Sequence, residues 1–457
     1  MSYRNLEDAL ASVKSPVDLL RNSQIGPYAF PVVRYEFTNW RDEQRSWRET
    51  CALFDQSHHM TDLYVEGPDA LKVFSDLGVN SFKNFKVNQA KQFVACNHQG
   101  YVIGDAILFY LAENTFNLVG RPPAANWVQF NIETGGYNAK AERDERSAMN
   151  QGRRKTFRFQ VQGPAALKVM QKVLGGAVPE VRFFNMSVFT IAGHPVHALR
   201  HGMVGQPGWE LFGAWDHGDA VRTAIVEAGR EFGIRQVGAR TYPTSCLESG
   251  WIPSPLPAVY TGEQMKKYRQ WLGPTAYETM ASLGGSFYSD DIEDYYLTPF
   301  DLGYGPFVKF DHDFVGRAGV EAMAENPRRT KVTLVWNGDD VARALGSLFH
   351  DNGDIAKYID LPLANYATLP YDKVIKGGKT VGLSTYTGYL YNERAMVSLA
   401  MVDNDHSAPG TEVTLVWGEQ GRGSTKPTVE RHKQVELRAV VAPVPISEVA
   451  RVAYRPK

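Results

Sequence analysis

Cysteine is scarce in this chain: three residues in 457, Cys51, Cys96 and Cys246, with no two at CxxC spacing. Neither a disulfide framework nor a zinc knuckle is expected from so few scattered thiols, and the pattern fits a reducing cytosol. An excess of one charge is missing as well. Forty-nine Lys and Arg against fifty Asp and Glu leave a formal net charge of -1, so no bulk field exists to hold a polyanion or an anionic membrane surface. Nucleic acid and membrane are therefore not expected as partners. Long apolar runs are absent too. No stretch reaches the roughly 18 uncharged apolar residues that cross a bilayer, and the opening MSYRNLEDALASVKSPVDLL sets Asp and Glu among its apolar positions, unlike a secretion signal. A cytoplasmic protein is expected. The common chemical signatures are missing: there is no P-loop, no GxGxxG with its following acid, no HExxH, no GxSxG and no paired Cys/His set. His58 and His59, side by side on an expected strand, would point apart and make a poor metal pair, so no metal site is expected.

What is present is the composition of an ordinary globular protein, with 43% hydrophobic, 12% aromatic and 22% charged residues. The length suggests about two to four domains, each able to bury its own core. One repeat stands out. Tyr64 to Phe74, YVEGPDALKVF, and Gln160 to Met170, QVQGPAALKVM, share V-x-G-P-x-A-L-K-V with seven of nine positions identical. Each copy reads as a strand that stops at Gly-Pro and gives way to an amphipathic helix. Two related α+β halves are expected. Between the copies, QFVACNHQGYVIGDAILFYLAENTFNLVG alternates apolar residues with turn signals at His98 to Gly100 and Glu113 to Asn114, the pattern of an antiparallel meander. RTAIVEAGREFG and VEAMAEN read as helices. Beyond Pro327 the segments KVTLVWNG, KTVGLSTYTGYLYNERAMVSLAMV and TEVTLVWG are short, β-rich and separated by turn residues, which predicts a terminal β-barrel or sandwich. The expected domains are 1–150, 151–330 and 331–457. Gly250 to Pro299, rich in Pro, Gly and aromatics, fits neither period, as functional connections often do not.

A set of strings falls in one order along the chain: ALFDQSHHM (Ala52 to Met60), GYVIGDAILF (Gly100 to Phe109), GQPGWELF (Gly205 to Phe212), ARTYPTSCLESGWIPSPLP (Ala239 to Pro257), TPFDLGYGPFVKFDHDFVGR (Thr298 to Arg317), VGLSTYTGYLYNERAMVSLAMV (Val381 to Val402) and PGTEVTLV (Pro409 to Val416). Together they resemble the folate-dependent aminomethyltransferase family, whose founder is the glycine-cleavage T-protein. Within it, the aromatic content and LESGWIPSPLP are most similar to the tetrahydrofolate-dependent O-demethylases of methoxylated aromatic acids such as syringate, vanillate and 3-O-methylgallate. The resemblance implies a three-domain cloverleaf of α+β class, two related α+β domains and a C-terminal β-barrel, with tetrahydrofolate in the central opening. It also implies a role in the catabolism of lignin-derived aromatics, and two small-molecule partners, the aromatic acid and tetrahydrofolate; the oligomeric state stays open.

The chemistry narrows the residues. A pterin edge presents two neighbouring N-H donors, which a buried carboxylate accepts in parallel. Glu210, between Trp209 and Leu211 on an expected strand, is the candidate, and it matches the family's pterin-binding glutamate; a solvent-facing strand residue is the alternative. A flat ring needs an aromatic platform, for which Trp251 and Tyr28 are the candidates. Displacement of a methyl group from an aryl ether is eased when the departing phenolate oxygen receives a proton or strong hydrogen bond. His59 as imidazolium or Tyr242 as phenol can supply it, and the resemblance leaves Tyr242 and Cys246 as alternatives for the family tyrosine; Cys246 also reads as a small buried residue. A carboxylate on the substrate calls for a planar cation. Arg121, ending a predicted strand, matches the substrate arginine of the O-demethylases, with His59 beside it. Asp105 stands where the family has a paired acid, here Gly104-Asp105, so only one acid remains; it is a pterin-side candidate or a plain turn cap. The rival readings are an aminomethyltransferase or an amine or sulfonium demethylase on the same scaffold, and a folate-binding protein without turnover.

Overall fold

A computed structural model describes residues 3–150, 153–253, 255–350, 355–422 and 424–453. Strand β1 (Cys51–Asp55) is followed by a first sheet of β2 (Thr61–Glu66), β3 (Gln89–Cys96), β4 (Val102–Ala112), β5 (Thr115–Gly120) and β6 (Lys140–Asp144). Its order is β3-β4-β5-β2-β6, antiparallel throughout. The expected meander is β3 to β5, turned at the two predicted places. A second sheet contains β7 (Thr156–Gln162), β8 (Met186–Ile191), β9 (His194–Arg200), β10 (Gly208–Ala214) and β11 (Ile234–Val237), in the order β8-β9-β10-β7-β1-β11.

The two sheets are built by the same succession. β2 leads into the helix Ala70–Leu77, the meander β3 to β5, the helix Pro122–Thr134 and β6; β7 leads into Ala166–Leu174, the meander β8 to β10, Gly218–Gly229 and β11. The sequence repeat marks the start of each unit. Its helices bury Ala70, Val73, Phe74 and Leu77 in one copy and Ala166, Val169 and Met170 in the other, the i, i+3, i+4 stripe of an amphipathic helix. Its glycines stand at φ +135° (Gly67) and +131° (Gly163), where a Cβ would lie 2.5 Å from the Asn138 carbonyl oxygen and 2.7 Å from that of Thr50. Only glycine allows both the conformation and the approach. The units differ in one strand: β1 is inserted between β7 and β11, antiparallel to the first and parallel to the second.

Downstream, β12 (Leu283–Gly284) pairs with β14 (Leu369–Pro370), while β13 (Arg329–Trp336), β15 (Asp372–Lys376), β16 (Lys379–Leu390), β17 (Ala395–Asp403), β18 (Glu412–Trp417) and β19 (Val435–Ala442) close a barrel in the order β13-β17-β16-β15-β18-β19. Closure leaves no edge unpaired. The region also holds a helix, Gly338–Gly346, which the β-rich reading did not anticipate; the Asn337 side chain accepts from the Asp340 amide and starts it. The aromatic segment after Gly250 forms mostly turns and short helices. Its Ile252, Val259, Tyr268 and Tyr295 join one core with Leu63, Phe74 and Val102 of the first unit. Among the described residues no helix is long and apolar enough to cross a membrane.

Candidate functional site

Side chains alternate across the second sheet, and its two faces differ in kind. Leu53, Phe159 and Leu211 face the helices in an apolar core. The opposite face carries Phe54, Gln160 and Glu210 in one register row, with Gln56, Arg158 and Gln162 beside them by the two-residue period. Glu210 is only 5% exposed, so it is not the solvent-facing strand residue. Its Oε1 accepts from Arg158 Nη1 at 2.5 Å. Around it, Gln56 Oε1, Gln160 Oε1, Gln162 Nε2, His201 Nδ1 and His59 Nδ1 are buried with no hydrogen-bond partner among the described residues. Buried polar atoms are rarely left unpaired, and a group of them on and beside one sheet face fits a polar, donor- and acceptor-rich ligand. A reduced pterin has that character.

His58 and His59 lie in the turn after β1, not on a strand as expected. The polypeptide reverses there because β1 and β2 belong to different sheets. His59 packs its ring 4.7 Å from Tyr242 and 4.7 Å from Phe30, centroid to centroid. Its backbone oxygen accepts from the Tyr28 hydroxyl. Burial, reinforced by Arg121 and Arg154, holds the His59 pKa well below the usual imidazole value. The imidazolium form expected from sequence is thereby disfavoured. Tyr242 opens a tight turn before the short helix Ser245–Ser249, which carries Cys246. Gln56 Nε2 donates to the Tyr242 hydroxyl oxygen at 3.2 Å, and burial pushes the phenol's pKa up. Burial likewise pushes the Cys246 thiol up to about 11, so it is not a thiolate near neutrality.

Arg121 occupies the N-cap of the helix Pro122–Thr134, where two prolines stand at the first helical positions; their missing N-H groups would have no helical partner there anyway. The guanidinium lies 4.0 Å from the ring centroid of Tyr28, and Arg146 lies 5.0 Å from the same ring. Tyr28 thus supports Arg121, with a ring face already engaged. Arg121 also acts electrostatically on His59, Cys246 and Tyr386. It borders a narrow cleft shared with Asp105, Gly104, Pro253 and Tyr277. Asp105 sits within β4 opposite Val94, which excludes the turn-cap reading. Its Oδ2 accepts from Gln92 Nε2 at 2.6 Å, Trp251 Nε1 at 3.0 Å and the Tyr304 hydroxyl at 2.8 Å. Burial raises its pKa, while the Tyr304 and Trp251 donors oppose the rise.

The structure therefore makes two groups of the sequence candidates: Glu210 on the polar sheet face, and Arg121, Tyr28, Asp105 and Trp251 about the cleft. His59, Tyr242 and Cys246 lie between them, since Tyr242 senses both Glu210 and Cys246 and His59 senses both Arg121 and Arg154. Sequence reasoning missed Gln160, Arg158, Asp62 and Tyr386. Gln160 had a signal, because it lies inside the repeat at a position where alternation makes it face with Glu210. A wider cavity of about 360 Å³ is bordered by Leu53, Asp55, His58, Phe159, Trp215 and Arg222. Leu53 and Phe159 place it on the other face of the sheet, away from Glu210 and the unpaired polar atoms, so volume alone does not mark the site. No group of three or more His, Cys, Asp or Glu able to hold a metal occurs among the described residues.

A family model described as the GCVT N-terminal domain matches residues 22–254. Over 452 residues the chain is 50% identical to a syringate O-demethylase from Sphingobium sp. (strain NBRC 103272 / SYK-6), covering 99% of this chain and 98% of that protein. It is 30% identical to a sesamin methylene transferase from Sinomonas sp. (strain No.22), covering 90% and 92% respectively, and 27% identical to an aminomethyltransferase from Streptomyces coelicolor, covering 85% and 87%. Among solved structures, the glycine cleavage system aminomethyltransferase T from Bartonella henselae superposes with a TM-score of 0.59 at 18% identity, covering 93% of this chain and 92% of that one. That likeness establishes the fold.

Proposed function

The chain belongs to the GCVT family, and on that premise we propose that it is a tetrahydrofolate-dependent O-demethylase of methoxylated aromatic acids, with syringate as substrate and vanillate and 3-O-methylgallate as the alternatives. Such compounds arise in the breakdown of lignin. The buried Glu210 carboxylate on a sheet face of unpaired polar atoms carries this reading. Tetrahydrofolate supplies a nucleophilic N5 that accepts the methyl group.

Glu210 holds the pterin by its neighbouring N-H donors, as a carboxylate suits two parallel donors. Trp251, tied by its indole N-H to Asp105, lends the aromatic surface from the cleft. Arg121 takes the aromatic carboxylate, its planar fork already set by Tyr28. When the ether C-O bond breaks, its electron pair stays on the phenolic oxygen, and that oxygen needs a donor. His59 provides a neutral N-H, because burial and Arg121 keep it from carrying charge, and the Tyr242 phenol provides the second donor within the same aromatic group. Cys246, a neutral thiol beside Arg121, shapes the pocket.

Incubation with tetrahydrofolate and each methoxybenzoate, followed by detection of 5-methyltetrahydrofolate and the free phenol, tests this. Formation of 5,10-methylenetetrahydrofolate from an aminomethyl donor, with no turnover of methoxybenzoates, would instead establish the aminomethyltransferase reading.

A further inference from the structure

We infer that Asp62 is a positioning residue that fixes the distance between Glu210 and the histidine turn, and so between the methyl acceptor and the group that receives the departing phenolate. This rests on the function proposed above. From Glu210 a chain of buried charges runs to the histidine turn, with one branch from Arg154 Nε to Asp144 Oδ2 at 3.0 Å. Arg158 donates through Nη1 to Glu210 and through Nη2 to Asp62 Oδ1 at 3.0 Å. Asp62 Oδ2 accepts from Arg154 Nη2 at 2.7 Å, while Asn117 Nδ2 donates to Oδ1 at 2.9 Å. Arg154 Nη1 then donates to the backbone oxygens of Ser57 at 2.7 Å and Met60 at 3.1 Å, the residues on either side of His58 and His59. Arg158 also grips the turn through its backbone, accepting from the Gln56 amide at 2.8 Å and the Ser57 hydroxyl at 3.2 Å.

Stability does not call for this arrangement. Asp62, Arg154, Arg158 and Glu210 are each 5% exposed or less, and buried ion networks of this kind are often no more stabilising than apolar side chains of the same volume. What such a network does supply is a fixed geometry between its ends. Those ends are the proposed pterin carboxylate and the turn that bears His59. They come from different elements, β10 and the loop joining the two sheets; the β7 backbone ties the two main chains together, and the buried charges carry the tie on to the Glu210 side chain. A transfer between two bound molecules is sensitive to that spacing, since a misplacement of about 1 Å can cost on the order of a hundredfold in rate. Among the described residues Asp62 is the one side chain that accepts from both guanidinium groups.

The test is a double-mutant cycle on the full chain. Glu210→Gln and Arg154→Lys are made singly and together, because these two side chains share no contact and independent distant sites combine additively. We expect each to lower kcat/KM, and the double variant to lose about fivefold or more less than the product of the single losses. Asp62→Asn is expected to lower kcat by about tenfold or more while leaving the tetrahydrofolate Kd within about threefold of the parent, with the melting temperature reporting folding separately. Should Asp62→Asn fail to fold, the cycle alone decides the matter. Additive single losses, or an Asp62→Asn enzyme with parental kcat, overturn the inference while the proposed function stands. A parent enzyme that binds no tetrahydrofolate and forms no 5-methyltetrahydrofolate overturns both.

Discussion

At the scale of the residue, environment matters more than identity. Burial turns the three side chains that sequence offered for proton donation, His59, Tyr242 and Cys246, into neutral groups: the imidazole pKa is pushed down, the phenol and thiol pKa values up. Arg121 brings a fixed charge to bear on both His59 and Cys246. Glu210→Gln keeps the size of the side chain and removes its charge, and a hydrogen bond to a charged group is worth about 1.5–3 kcal/mol. Its tetrahydrofolate Kd, measured by calorimetric titration, is expected to rise roughly tenfold to a hundredfold. Cys246, with its thiol near 11, is expected to resist iodoacetamide from pH 7 to 9, with alkylation accelerating only as the pH nears that value. Rapid alkylation at pH 7.5 in the folded enzyme, followed by peptide mass mapping, would contradict the neutral-thiol assignment.

At the scale of the element, the chain declares its regular parts. The Gly-Pro repeat, the meander after Gln89, the helix near residue 222 and the closing barrel all follow from turn residues and apolar period, because these are local signals. Gly163 shows how local they are. Its φ of +131° and the nearby Thr50 carbonyl exclude a Cβ, so Gly163→Ala is expected to lower stability by about 2–3 kcal/mol, read as a lower denaturant midpoint. An unchanged midpoint would mean that the turn relaxes freely. The site was legible in part: its candidate residues could be picked out one by one, but not their arrangement. Glu210 could be chosen for its chemistry and its strand, whereas Arg158, Asp62 and Arg154 meet it only after β7, β10 and the turn at His59 converge. Placing His58 and His59 on a strand failed for a related reason, since the chain changes sheets at that point and no sequence period records the change. The helix Gly338–Gly346 carried its capping signal in Asn337 and two following acids, hidden among strong β segments.

At the scale of the whole molecule, buried histidines couple folding to pH. His58 and His59 both have depressed pKa values in the folded chain, burial being the largest cause. Above about pH 6.5 both are neutral folded or unfolded and contribute no pH dependence. Below it the unfolded chain takes up protons that the folded chain refuses, so stability is lost as pH falls, by up to about 1.4 kcal/mol per pH unit for each histidine. Denaturant midpoints measured from pH 7.5 to 5 are expected to fall, and replacing His58 by Gln is expected to flatten the slope. The insertion of β1 reaches further than the finished fold. During synthesis this strand leaves the ribosome early, yet Thr156–Gln162 and Ile234–Val237, which flank it, emerge only much later. Until then its backbone is open to pairing with any extended neighbour, the exposure that second-sheet synthesis removes.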